Sequence, residues 1–184
     1  MIRSTRIRCG RNLAEFPLSL RMTREERNAI ERKISGALTS LDGELAGTYY
    51  SLGSLSDDQL NQLVNDHFLF KPNDKFRQSV GINRDWPEGR GIFHNNDKTF
   101  LSWVNESDQL RLISMQQDSD ISGVFKRLCL AASKIAQVAQ FARNDHLGFI
   151  TCCPSNLGTG LRASVHIRLP KLGEKMIEFQ AICD

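Results

Sequence analysis

The stretch TCCPSNLGTGLRASVH, Thr151 to His166, sets two adjacent cysteines, a proline, two glycines, an arginine and a histidine between apolar runs. Such a segment could cradle phosphate, present a catalytic thiol, or only turn the chain between two strands. It is not a P-loop: GxxxxGK followed by Ser or Thr is absent, and the pattern after it is a strand rather than a helix. Nor does it contain GxSxG. Gly158 and Gly160 permit positive φ and a close backbone approach, which suits a sharp turn or a ligand equally. Cys153 precedes Pro154 at a strand end, where the Ser155 hydroxyl and free loop N–H groups could favour a thiolate. A structural thiol is the competing reading.

Four arginines fall on segments that read as strands. In STRIRCG, alternation puts Ser4, Arg6 and Arg8 on one face and Thr5, Ile7 and Cys9 on the other. Arg111 lies between Leu110 and Leu112, and Arg162 shares a strand face with His166, four residues on. If these three segments are neighbours, their guanidinium groups form a cluster able to hold a polyphosphate. The matching chemistry is phosphoryl transfer, in which positioning and charge neutralisation supply most of the catalysis. Glu106 and Asp108 in NESDQLR are the available orienting carboxylates. Against this stands a plainer reading of Arg6 and Arg8, as charges that protect an edge strand. His67 lies on an apolar helix face with Leu60, Leu63 and Val64, where a core role competes with a ligand role.

The elements that must position these groups are readable from periodicity. TREE, Thr23 to Glu26, is a capping box for a helix carrying Ile30, Ile34, Leu38 and Leu41. GTYYSL, Gly47 to Leu52, reads as a strand, and Ser56 with Gln59 opens a second helix. GIFH, TFLSWV and LRLISM, joined through NNDK and NESD, form a β-meander with antiparallel neighbours. ISGVFKRLCLAASKIAQVAQFARN reads as the longest helix, burying Val124, Leu128, Ala131, Ile135 and Val138. LGFITCC and LRASVHIRLP are two further strands, and EKMIEFQAIC begins a last helix. The expected class is α+β: a mainly antiparallel sheet flanked by α-helices. Starting in a strand and ending in a helix, the chain reads as an excerpt of something larger.

Composition narrows the partners. With 184 residues, 40% hydrophobic and 24% charged, one ordinary globular domain is expected. A net charge of +3 is too small to argue for nucleic acid, and aromatic residues do not interleave with the arginines as single-strand binding requires. Sixteen of the 24 basic residues are arginine, whose planar fork suits phosphate and carboxylate. Five cysteines without CxxC spacing point to reduced thiols, hence a cytoplasmic protein. His67, His94, His146 and His166 show no zinc spacing. No apolar run reaches the ~20 residues of a membrane span, and the basic opening MIRSTRIRCGR alternates like a strand rather than a targeting segment. Neither nucleic acid nor membrane is expected as a partner.

STRIRCGR, DHFLF, WPEGRGIFHNNDKTFLSWVNESDQLRLISMQ and CPSNLGTGLRASVHI, in that order and at these separations, resemble the phosphagen (ATP:guanidino) kinases, arginine kinases most closely. The likeness covers essentially the whole chain, and the cysteine loop is the family's signature. It implies transfer of the ATP γ-phosphate to a guanidino nitrogen, most simply that of L-arginine, with Mg²⁺ bridging the phosphates. Residues 1–184 would be part of the family's catalytic domain, without its smaller N-terminal domain and the later C-terminal part. Carried over by position, Arg6, Arg8, Arg111 and Arg162 would bind ATP or ADP phosphates. They would do so within nucleotide segments Ser4, Thr5, Arg6, Ile7, Arg8 and Arg162, Ala163, Ser164, Val165, His166. His67 and His166 would lie by the base and ribose, and Cys153 would be a thiolate positioning the guanidinium. Glu106 would be the candidate catalytic carboxylate that remains. Where the family has NEED this chain has NESD, so Ser107 stands at the position of the carboxylate that clamps the guanidinium. A hydroxyl cannot pair bidentately with that group. SNLGTG is more similar to the creatine kinases, RASVH to the arginine kinases.

Overall fold

The computed structural model describes residues 2–66, 68–70 and 75–184, the side chains of Phe76 and Arg77 excepted. Its first strand, β1 (Ile2–Arg11), leads to α1 (Arg24–Thr39), β2 (Gly47–Ser51), α2 (Asp57–Asn65) and the short α3 (Lys75–Ser79). The meander follows as β3 (Gly91–Asn95), β4 (Phe100–Val104) and β5 (Leu110–Gln116), then α4 (Ile121–Ala136). A two-residue hairpin, β6 (Arg143–Asn144) and β7 (Gly148–Phe149), precedes the cysteine loop and β8 (Leu161–Ile167). The chain closes with α5 (Pro170–Gly173) and α6 (Met176–Cys183).

Six strands form one antiparallel sheet in the order β2-β3-β4-β5-β1-β8. The α+β expectation holds. The meander supplies consecutive neighbours through short turns, whereas β1 and β8 are added from opposite ends of the sequence. Both predicted capping boxes form: Thr23 and Glu26 cap α1, and Ser56 and Gln59 cap α2. Each satisfies two N–H groups that a helix start otherwise leaves without partners, a contribution of about 1 kcal/mol.

Alternation distributes the strands between two cores. On one face, α1 and α4 bury Ile30, Ile34, Leu38, Val124, Leu128 and Ile135 against Ile7, Cys9, Phe100, Leu110 and Leu112. On the other, Ile92, Leu101, Trp103 and Ile113 pack under Leu60, Leu63 and Val64 of α2. Covered on both sides, β4 is buried along its whole length, which explains why FLSWV lacks a polar face.

Three expectations need correction. β1 is not an edge: β5 flanks it on one side and β8 on the other, so Arg6 and Arg8 do not guard an exposed ladder. α4 equals α1 at 16 residues and ends at Ala136, so Val138 turns outward at 57% exposure while Ala139 takes the buried place. LGFITCC forms strand only at Gly148–Phe149, because Thr151 onward bends into the cysteine loop.

Candidate active site

Strand register decides which arginines meet. Arg8 lies directly across from Arg162 in the β1–β8 ladder, and Gly10 across from Arg111 in the β1–β5 ladder. Directly opposed residues share a face, so Arg6, Arg8, Arg111 and Arg162 all project to the same side. This is the side opposite to α1 and α4. A cleft of about 60 Å³ between them is lined by Arg8, Gly10, Arg111, Asn156, Gly160 and Arg162.

The cluster lacks countercharge. Among the described residues no carboxylate lies within ion-pairing distance of Arg6, Arg8 or Arg162, and the buried Nε of Arg6 has no hydrogen-bond partner. Burial, then repulsion by Arg111, pulls the pKa of Arg6 down. Arg8 is lowered by burial and by Arg111, Arg6 and Arg162 in turn, against a smaller opposing effect of Glu106. Cations pressed together in this way lower their energy when an anion with several oxygens enters. The arrangement therefore fits the phosphates of a nucleotide.

Arg111 alone is neutralised locally. Its Nη2 lies 3.1 Å from Glu106 Oε2 and 3.8 Å from Asp108 Oδ2. Glu106 is buried, and its Oε2 also accepts from the Ser107 backbone N–H at 2.8 Å and the Ser107 hydroxyl at 2.6 Å. That hydroxyl oxygen in turn accepts from Arg111 Nη2 at 3.1 Å. Ser107 thus closes a small ring with its neighbours and adds no negative charge. Asp108 acts as a structural link: its Oδ1 accepts from Asn12 Nδ2 at 2.9 Å and from the Cys152 N–H at 2.7 Å. A side chain at position 10 would put Cβ 2.5 Å from Asp108 Oδ2, so it would have to displace the buried Asp108 carboxylate.

Cys153 is exposed at the start of the 3-10 turn Pro154–Asn156, with Sγ 3.0 Å from Ser155 Oγ. The Ser155 hydroxyl and backbone N–H lower its pKa, with the charge of Arg111 helping. Cys152 next to it behaves oppositely: burial and the nearby Asp108 push it up to about 11. The loop therefore sets a thiol with a lowered pKa next to one with a raised pKa. Iodoacetamide should label Cys153 first, with a half-maximal rate below the ordinary thiol pKa. In Ser155→Ala that midpoint should move up, and an unmoved midpoint would remove Ser155 as the cause.

The remaining candidates separate by face. Ser4, Ser164 and His166 share the arginine face, with Ser4 Oγ 2.9 Å from His166 Nδ1 and Ser164 Oγ donating to Arg6 O at 3.3 Å. Thr5, Ile7, Ala163 and Val165 alternate to the other side, where Thr5 Oγ1 donates to Asp118 O at 2.8 Å. Only their main chain could meet a ligand on the arginine face. His67 lies outside the described residues. Asn156 and Gly10 were not singled out from sequence for this cleft; the return of the cysteine loop over β1 brings Asn156 there, together with Gly160. A second cleft of about 230 Å³, lined by Tyr50, Leu63, Phe68 and His94 among others, opens on the same face beside β2 and β3. Among the described residues it carries no arginine.

An arginine cleft to which the cysteine loop contributes Asn156, on a sheet assembled from both ends of the chain, suits an anion with several oxygens. The chain belongs to the ATP:guanido phosphotransferase family, residues 29–184 matching the family's C-terminal catalytic domain. It is 55% identical to an arginine kinase of Anthopleura japonica across 100% of its own length and 26% of that relative. Identity to arginine kinase Lit v 2.0101 of Penaeus vannamei is 52%, over 92% of this chain and 48% of the relative. Among solved structures, the duplicated taurocyamine kinase of Schistosoma mansoni with bound transition state analog components superposes with a TM-score of 0.91 at 49% identity. It covers 98% of this chain and 25% of that one. A lombricine kinase superposes at 0.88 and 45% identity, covering 94% and 49%. The chain thus spans a quarter to a half of the proteins it matches.

Proposed function

We propose that residues 1–184 form the nucleotide-side part of a catalytic domain that transfers the γ-phosphoryl group of ATP to a guanidino nitrogen, L-arginine being the first candidate acceptor. The observation that carries this reading is the uncompensated Arg6–Arg8–Arg162 cluster with Arg111 on one sheet face. These four would hold the phosphates and neutralise charge as it shifts between the oxygens, the main catalytic requirement of phosphoryl transfer. Ser4 and His166, hydrogen-bonded to each other at the end of the same face, would border the ribose and base. Cys153, as a thiolate, would place negative charge beside the acceptor guanidinium. Glu106 would be the orienting carboxylate, although Arg111 and Ser107 already occupy its Oε2.

Magnesium enters in this reading on the nucleotide phosphates. Among the described residues no group of three or more histidine, cysteine and acidic side chains is arranged to hold a metal, and no helix is long and apolar enough to cross a membrane. All five cysteines are unpaired, as a reducing cytoplasm would keep them.

A second reading has its own observation. The closed Glu106–Ser107–Arg111 ring lacks the free carboxylate an acceptor guanidinium needs, so the chain would bind nucleotide and turn over little. A coupled assay of ADP release with arginine, creatine and taurocyamine separates the two. Acceptor-dependent turnover with arginine supports the first. Nucleotide binding without any turnover supports the second.

A further inference from the structure

We propose that Arg11 is a positioning residue that holds the signature turn against β1 and so sets the width and charge of the arginine cleft; this rests on that cleft being a nucleotide-phosphate site. Arg11 is the last residue of β1 and shares its face with Thr5, Ile7 and Cys9, not with Arg6 and Arg8. It is only 8% exposed, and no carboxylate among the described residues pairs with it. Instead its guanidinium lies 3.6 Å above the centre of the Phe149 ring, with Phe141 at 5.8 Å. A cation without a carboxylate partner is tolerated there because ring faces and carbonyl oxygens replace water.

Three successive carbonyls of the turn are all taken up at this point. Gly158 O accepts from the Phe149 N–H at 2.7 Å, Thr159 O from Arg11 Nη1 at 2.9 Å, and Gly160 O from the Gly10 N–H at 3.1 Å. The same Nη1 also donates to Gly10 O at 2.7 Å. β1 and β8 pair as far as Cys9 and Leu161, so the arginine side chain supplies a bond where the backbone ladder runs out. Gly160 has φ +61, and a Cβ there would lie 2.9 Å from Gly10 O and 3.0 Å from Arg11 Nη1.

The consequence lies on the other face. Gly10 and Gly160, joined by this staple, are walls of the cleft between Arg8 and Arg162. Carbonyl oxygens at the rim of an anion site repel the anion unless a donor occupies them. Arg11 occupies two, Gly10 O and Thr159 O, without reaching the cleft itself. Loosening the staple would let Gly160 drift from Gly10, and with it the start of β8 that carries Arg162.

The test compares the unmodified chain with Arg11→Met, Arg11→Lys and Phe149→Leu, by calorimetric titration with Mg-ADP and by amide hydrogen exchange. Arg11→Met should weaken Mg-ADP binding by about tenfold, the low end of the scale for losing one hydrogen bond from a charged donor. It should also speed exchange across residues 158–161 while α1 and α4 keep their protection. Arg11→Lys, which can still reach carbonyls, should recover most of the affinity. Unchanged affinity and unchanged turn exchange in Arg11→Met would overturn the proposal, as would equal weakening in Arg11→Lys and Arg11→Met. Should Arg11→Met fail to fold, Phe149→Leu decides on the same readings: weaker binding with a faster turn supports the proposal, and no change in either overturns it. An unmodified chain that does not bind Mg-ADP defeats the nucleotide reading instead, and turn exchange in Arg11→Met then decides the role of Arg11 alone.

Discussion

Arg162→Ala is expected to reduce Mg-ADP affinity by roughly 10- to 150-fold, the equivalent of about 1.5–3 kcal/mol for hydrogen bonds to a charged group. Calorimetry reads the loss directly. The residue suits the test because it is exposed on the edge strand and makes no ion pair among the described residues, so its removal should cost the fold about 0.5 kcal/mol or less. Arg111 does not suit it. That side chain neutralises Glu106, which is 2% exposed, and stripping a buried pair of one partner costs about 3–5 kcal/mol. A binding loss in Arg111→Ala would therefore mix site and stability. Raised salt should weaken binding in the unmodified chain more than in Arg162→Ala, because a cation has been removed from the cluster.

Ser107→Glu is expected to raise arginine-dependent turnover by about 10²-fold or more, the range assigned to a positioned acid–base group. The hydroxyl now stands between Glu106 Oε2 and Arg111 Nη2, so a longer acidic side chain from the same backbone would start beside the arginine that faces the cleft. Glu106 would keep its bond from the residue 107 N–H and its pair with Arg111, so the loop should survive the change. Ser107→Gln has the same reach without the charge and should give no gain. A rise in both variants would mean that reach alone matters. A flat response to Ser107→Glu would move the missing contribution away from this position.

The local pattern of β1 was legible: the alternation that puts Arg6 and Arg8 on one face is the alternation observed. Its place inside the sheet was not, because β8 reaches it from more than 150 residues away and no periodicity encodes that pairing. Helix starts were clear because the caps at Thr23 and Ser56 are chemical marks, while the end of α4 carried no such mark and Val138 was misplaced. Within the site, residue type singled out the arginines that cluster, since an arginine flanked by leucines on a strand needs a reason. Arg11 escaped for the opposite reason: among so many arginines it read as one more charge. The signal available was its parity, which puts it in line with Thr5, Ile7 and Cys9, the buried face. Asn156 had no comparable mark, and only the return of the loop over β1 places it in the cleft.

The central claim is that the arginine face of β1, β5 and β8 receives nucleotide phosphates. A crystal structure of this chain grown with Mg-ADP tests it most directly. Phosphate oxygens are expected within hydrogen-bonding distance of Arg8, Arg111 and Arg162, between Gly10 and Asn156. Nucleotide seated instead in the cleft of Tyr50, Leu63, Phe68 and His94, with the arginine cluster untouched, would contradict it.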